Sequence, residues 1–402
     1  MTTRLDTGGA DAGPLGATLL TPGDEPEGSA ADTGPGIGRG WLAAVTAHGE
    51  TLGLYLICIA VALALSAALV EATGGSTGAV FSALLDGSLR GPGRVGKSIG
   101  VAIPLLLVAL GTIVSNQAGL VNIGQEGQLF LGAAFSVYVG VELAGPGPVV
   151  IVALLVAGAV GGALWAGIAA LLRYGRNVPE VLTTLLLVTV ADQLVGYGLK
   201  NQWLLLAPSE GRANRQQISQ QLDLDTRLPR ITWFGNELPI SLFLALALAL
   251  LVAFALRSTI WGFRLRMLGH NPRTAQRAGV SAARYGGVAM LLSGALAGLA
   301  GAVMLAGGDF GNYTVVPGFP SSIGWTGLLV ALVARQRVSA AVVVAFVFAC
   351  LNTGSGFLAS TGIERRVTDV VQGLIVLSLL IPPALLVLRR RRREIASSGA
   401  GS

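Results

Sequence analysis

Long apolar runs separated by short polar interruptions occupy this chain from about residue 51 to residue 388. Runs lie near 51–72, 98–116, 127–143, 149–172, 180–200, 238–256, 286–307, 322–334, 338–356 and 367–388. Most approach the roughly 20 apolar residues that a membrane-crossing helix needs, and several are shorter or broken by glycine. The pattern predicts an all-α, polytopic transmembrane helical bundle of about ten spans. The stretches near 116–128 and 308–334 are expected to be re-entrant or discontinuous. Gly145-Pro-Gly-Pro148 predicts a tight turn between the third and fourth runs.

The most informative interruption is Asn122-Ile-Gly-Gln-Glu-Gly-Gln128. A polar, glycine-rich string has no place facing lipid, because irregular backbone at membrane depth survives only where protein buries it or water lines it. An intramembrane carboxylate such as Glu126 marks a functional site by default. The competing reading for Asn122, Gln125 and Gln128 is hydrogen bonding between helices, worth about 0.6–2 kcal/mol per bond in a membrane. Glu126, Glu180, Asp192, Asp309 and Asp369 have the same two readings, since a carboxylate near a span end often caps a helix.

Composition agrees with the pattern. Hydrophobic residues make up 52% of the chain, charged residues only 12%, and mean hydropathy is +0.69. Cys58 and Cys350 lie in apolar runs, which excludes a disulfide framework and zinc spacing. His48 and His270 show no partner spacing for a metal, and Trp203, Trp233 and Trp261 suit an interfacial belt. Residues 1–40 lack apolar periodicity and read as a disordered tail, without the basic start and apolar core of a signal peptide. The net charge of +6 reflects arginines beside the spans rather than a nucleic-acid surface. Arg257–Tyr285 holds Arg257, Arg264, Arg266, Arg273, Arg277 and Arg284 without an acid, and residues 389–393 are all arginine. Both segments, and both termini, are expected on the cytoplasmic side of the plasma (inner) membrane. Asn201–Glu237 balances its charges and suits the outer face, whereas Arg90, Arg94 and Lys97 would face outward against the rule.

Within the basic loop, Asn271 followed by Pro272 reads as an N-cap and first helical position, and Gly279 as a C-terminal stop. A helix of about two turns between spans is shaped for a groove on a cytosolic partner. The plainer alternative is a solvated basic loop that sets topology.

Four stretches occur in one order: Asn122–Gln128, Asn177-Val-Pro-Glu-Val-Leu-Thr-Thr-Leu185, Gly262–Gly279 and Ser293-Gly-Ala-Leu-Ala-Gly-Leu-Ala-Gly301. Together they resemble the permease subunits of ABC importers for nucleosides and simple sugars, related to branched-chain amino-acid permeases, over roughly residues 50–388. The resemblance implies a permease domain over 41–388, a coupling loop at 257–285 and a basic tail at 389–402. It implies a substrate pathway near Asn122, Gln125, Glu126, Gln128, Glu180, Thr183 and Thr184. It also implies coupling to an ATPase through Gly269, Asn271, Arg273, Ala275, Ala278 and Gly279. The implied partners are a cytosolic ATP-binding subunit, a second permease subunit, alike or different, an extracytoplasmic substrate-binding lipoprotein and the bilayer. No cofactor is expected in this chain. The resemblance places ATP and Mg in that ATP-binding partner, so the chain is not expected to be an enzyme itself.

The chain departs from the family pattern at Pro179, Val188 and Thr326, where relatives usually carry asparagine, asparagine and an acid. These changes bear on which substrate is carried. The expected function is nucleoside import by alternating access, with a simple sugar such as a pentose second. A carrier driven by an ion gradient, with Glu126 or Asp309 as proton site, is the alternative of another class. A receptor lacks a soluble signalling domain, and an enzyme lacks a nucleophile–base or metal constellation.

Overall fold

Glycine and proline set the punctuation of the helices in the computed structural model, which describes residues 84–208, 217–233, 235–310, 312–319 and 322–358 with scattered positions from 57 to 82 and from 370 to 381. A π-helical turn at Asp86–Arg90 leads through Gly93, in the left-handed region, into α1 (Arg94–Gln117). The chain breaks, then resumes as α2 (Gln125–Glu142). Pro146 and Pro148 start α3 (Gly147–Arg176), which ends on left-handed Asn177. Pro179 precedes α4 (Glu180–Gly198). After an antiparallel hairpin, β1 (Arg230–Trp233) and β2 (Asn236–Pro239), follow α5 (Ser241–Ser258), α6 (Ile260–His270), α7 (Pro272–Arg277) and α8 (Ala282–Gly307). The last two are α9 (Ile323–Val333) and α10 (Val338–Leu358).

Eight of the apolar runs coincide with helices, and both expected breaks are present. Among the described residues, α1, α3, α4, α5, α8 and α10 are the six helices long and apolar enough to cross a membrane. That is fewer than the ten read from the sequence. The runs at 51–72 and 367–388 fall largely outside the described residues, as do the tails 1–40 and 389–402. The other two runs are the broken ones: α2 opens with the polar turn Gln125–Gln128, and α9 has only 11 residues. The all-α expectation also needs one correction. Arg230-Ile-Thr-Trp233 pairs with Asn236-Glu-Leu-Pro239 because β-favouring residues flank a turn that Gly235 makes with a left-handed φ of 73°.

The hairpin brings acids to the end of the bundle where Arg94 and Lys97 stand. Arg230 donates to Asp309 at 2.7 Å and to the Gly307 carbonyl at 2.6 Å, tying the hairpin to the end of α8. Gly96 at the start of α1 lies against the Glu237 backbone, and Lys97 feels Asp309. Arg94 stacks over Phe357 at 4.7 Å. These cations therefore share one end of the bundle with the charge-balanced loop and its acids. Burial pushes the Asp309 carboxyl above its ordinary range, against the pull of Arg230 and Lys97.

Helix α8 is the axis of the fold, and its small residues are the reason. Gly294 and Gly298 meet Gly158 and Gly162 of α3, and Gly301 meets the Leu129 carbonyl of α2. Backbones approach this closely only without side chains between them, which recovers the dispersion energy that binds helices in lipid. α1 is the other buried element, with Leu105, Leu107, Leu110 and Ile113 fully enclosed. The outer faces of α3 and α5 expose Val152, Val156, Leu164, Leu250 and Phe254, as lipid-facing surfaces do.

The glycine crossing yields a paired expectation. Gly298→Ala places a methyl group against the Gly158 carbonyl, whereas Gly287→Ala, in the same helix, meets open space. Thermal unfolding of the detergent-solubilised protein should show a loss of about 1–3 kcal/mol for Gly298→Ala and none for Gly287→Ala. Equal behaviour of the two variants would refute the crossing.

Candidate functional site

The break between α1 and α2 is built by local chemistry before any distant contact forms. Gly119 turns the chain in the left-handed region at φ 74°, and the Asn122 side chain accepts from the Gly124 N–H at 3.1 Å. Gly124 starts α2, which therefore begins inside the protein with Gln125, Glu126 and Gln128 in its first turn. All four polar side chains of the string are buried, none more than 3% exposed.

Three of them form one network around Ser293 of α8. Asn122 and Gln128 exchange two hydrogen bonds, at 2.9 and 3.1 Å. Asn122 Nδ2 and Gln125 Nε2 donate to the Ser293 hydroxyl at 2.9 and 3.2 Å. Gln125 also donates to the Val108 carbonyl at 3.1 Å and accepts from the Thr112 hydroxyl at 2.8 Å, reaching α1. These amides thus join α1, α2 and α8. Sequence reading passed over Ser293 and Thr112 as partners. The available signal was a hydroxyl inside an apolar or small-residue helix, Ser293 being the one serine or threonine within α8.

Glu126 has a different partner. Its two carboxylate oxygens accept from the backbone N–H groups of Ser322 and Gly324, each at 2.6 Å. Those groups open α9, whose own N-cap residue, Ser322, provides no side-chain cap. The carboxylate therefore caps a helix from outside it, and sits in the first turn of α2 as well. Two positive helix ends face one negative group. Gly324 permits the approach, since a Cβ there would meet Glu126 Oε2 at 2.6 Å.

The residues expected from α4 lie beside this assembly and turn inward. The Thr184 hydroxyl donates to the Glu180 carbonyl at 2.7 Å and accepts from the Ile123 N–H at 3.3 Å. Thr183 donates to the same Glu180 carbonyl at 3.1 Å. The Glu180 carboxylate pairs with Arg173 of α3 at 3.2 Å. Gly124 and Gly127 let α2 lie on α4 at Thr184, Val188 and Ala191. Asp309, the other carboxylate considered as a proton site, is held by Arg230.

The residues expected to couple to an ATPase form a second group. Asn271 caps α7, accepting from the Thr274 N–H at 3.1 Å, and Gly279 ends it with φ 78°. Ala275 is fully buried on Leu268 and Val280, so it seats α7 on α6. Asn271, Arg273, Ala278 and Gly279 are exposed. Gly269 of α6 meets the turn after α1: its missing side chain leaves room for the Gln117 carbonyl, and a Cβ at Gly119 would lie 3.2 Å from the Gly269 Cα. Only two residues of chain, Leu120 and Val121, separate the Gly119 contact from the buried string.

The Glu126 cap is open to test. Glu126→Ala should destabilise the solubilised protein by about 1.5–3 kcal/mol for each charge-assisted hydrogen bond removed. Glu126→Gln, which keeps one acceptor, should lose roughly half as much. A Glu126→Ala protein with the parent's melting temperature would show that the cap does not hold α9.

Comparison with known proteins agrees with this architecture. The family model described as the permease component of the branched-chain amino acid transport system matches residues 95–380. The guanosine ABC transporter permease protein NupP of Bacillus subtilis is 31% identical over 323 residues, covering 80% of this chain and 91% of that protein. The glucose ABC transporter permease protein TsgB13 of Haloferax volcanii is 31% identical over 289 residues, covering 69% and 74%. The nucleoside ABC transporter permease protein NupB of Lactococcus lactis is 27% identical over 297 residues, covering 73% and 80%. No solved structure matches the chain. With its apolar spans, its broken helices and these relatives, the chain belongs to the permease family of the branched-chain amino acid transport system and is a multi-pass permease subunit of an ABC transporter.

Proposed function

We propose that this subunit imports a nucleoside by alternating access, driven by ATP bound with Mg in a separate cytosolic ATP-binding subunit. A second permease subunit completes the membrane channel, and an extracytoplasmic binding lipoprotein delivers the substrate. Both termini lie in the cytoplasm, as does α7, which is the coupling helix. The observation that carries this reading is the Gly119–Gly269 contact. A push on α7 passes through α6 to the turn after α1, and from there to Asn122 and the network that joins α1, α2 and α8. Movement of a docked ATPase would thereby reach the helix break without crossing a flexible segment.

On this reading Asn122, Gln125, Glu126 and Gln128, with Glu180, Thr183 and Thr184, serve the pathway as its frame. Their hydrogen bonds are made within the subunit, so they set where α2, α4 and α9 stand around the route. Nucleoside specificity is supported by guanosine and nucleoside permeases among the relatives. A simple sugar is the second reading, supported by the glucose permease at similar identity.

Two measurements test the proposal. Labelled uptake in cells with and without the gene should show loss of guanosine or uridine transport and retention of ribose transport; the reverse pattern moves the assignment to sugars. Ala278→Asp, at an exposed position of the loop, should abolish co-purification of the ATP-binding subunit without lowering thermal stability. Retention of that subunit would exclude α7 as the docking element.

A further inference from the structure

Helix α4 carries polar groups on two sides, and among the described residues one set is bound within the subunit. Glu180, Thr183 and Thr184 turn inward onto α2 and α3. Farther along the same helix, Thr189, Asp192 and Gln193 are exposed on the opposite side. Asp192 lies about 18 Å of helix rise from the start of α4 and about 9 Å from its end, inside a span long enough to cross the membrane. Among the described spans it is the ionisable residue that is both exposed and more than one turn from a helix end. Its neighbour Gln193 makes a marginal contact with it, at 3.5 Å.

A carboxylate in that position cannot face hydrocarbon at acceptable cost, so water, protein or a polar solute must cover it. The exposed faces of α3 and α5 are valine, leucine and phenylalanine, which is what lipid requires. The exposed side of α4 also carries leucines such as Leu182, Leu185 and Leu186, and among them it adds a hydroxyl, a carboxylate and a carboxamide within two turns. Such a set accepts and donates to several hydroxyl or N–H groups at once, and holds no matching cation of its own.

We propose that Thr189, Asp192 and Gln193 form the surface that the transported solute touches as it passes, with the Asp192 carboxylate accepting hydrogen bonds from hydroxyl or N–H groups of a polyhydroxylated solute. The inference deepens the import function above and rests on it. Specificity within the membrane then belongs to the outward face of α4, and the buried Glu180, Thr183 and Thr184 keep that face turned to the route.

The test uses the assembled transporter in cells and in inside-out vesicles, with Cys58 and Cys350 replaced by serine. Thr189→Cys and Gln193→Cys should react with the charged thiol reagent methanethiosulfonate ethylsulfonate from at least one side, and guanosine should slow the reaction. Val156→Cys, on the lipid-facing side of α3, should not react. Asp192→Asn, with its fold checked by melting temperature, should lower guanosine uptake at saturating binding protein about tenfold, the equivalent of one charge-assisted hydrogen bond. Protection by ribose in place of guanosine would uphold the surface and overturn the nucleoside assignment. Cysteines as inert as Val156→Cys, cysteines that cross-link to a second permease while excluding the reagent, or labelling that no solute slows would each overturn the surface itself.

Discussion

The carboxylate of Glu126 stands between two helix starts, and the arrangement of the broken helices depends on it. α9 begins inside the protein with N–H groups that no earlier turn can satisfy, and its own first residues provide no cap. In water such groups would be solvated; in a membrane interior they must be met by protein. Glu126 meets two of them from the first turn of α2 and places its charge where both helix dipoles favour it. An ionisable residue in an apolar bundle is therefore explained by backbone geometry. The polar string and the short helix are two halves of one device: each break in the helical pattern supplies what the other lacks.

Around that contact the fold is held by close approach more than by apolar burial, because lipid is as apolar as leucine. The run from Ser293 to Gly301 serves both ends of this strategy. Its glycines bring α8 onto α3 and α2, and its serine hydroxyl receives the amides of Asn122 and Gln125. Small residues permit the crossing, and the hydrogen bonds select its register. The same logic recurs at Gly119 and Gly269, where two glycines allow the basic loop to touch the turn that leads to the string. Mechanical connection and packing thus draw on the same residue type.

The division of labour along α4 follows from this frame. A helix that must both anchor and present polar groups does so by facing: inward groups bind α2 and α3, outward ones remain open. The inward set is more than structural decoration, since rotating α4 by a fraction of a turn would exchange the two faces. Its hydrogen bond to Ile123 links that rotation to the break between α1 and α2.

Much of this protein is legible in one dimension. Apolar run lengths located eight helices, the polar string and the short run near 322–334 marked the breaks, and Asn271-Pro272 with Gly279 bounded α7, because span length and capping are local properties. The hairpin escaped because its charged surroundings masked a four-residue β pattern. What only the tertiary structure decided is which polar groups turn inward and whom they meet. Asn122 finds Ser293 at a separation of 171 residues, and Glu126 finds Gly324 at 198. α4 is apolar on most of its circumference, so its periodicity does not say which of Glu180, Thr184 or Asp192 faces the protein. In a membrane helix both protein and lipid accept leucine and valine, and only the neighbours that close around it distinguish one side from the other.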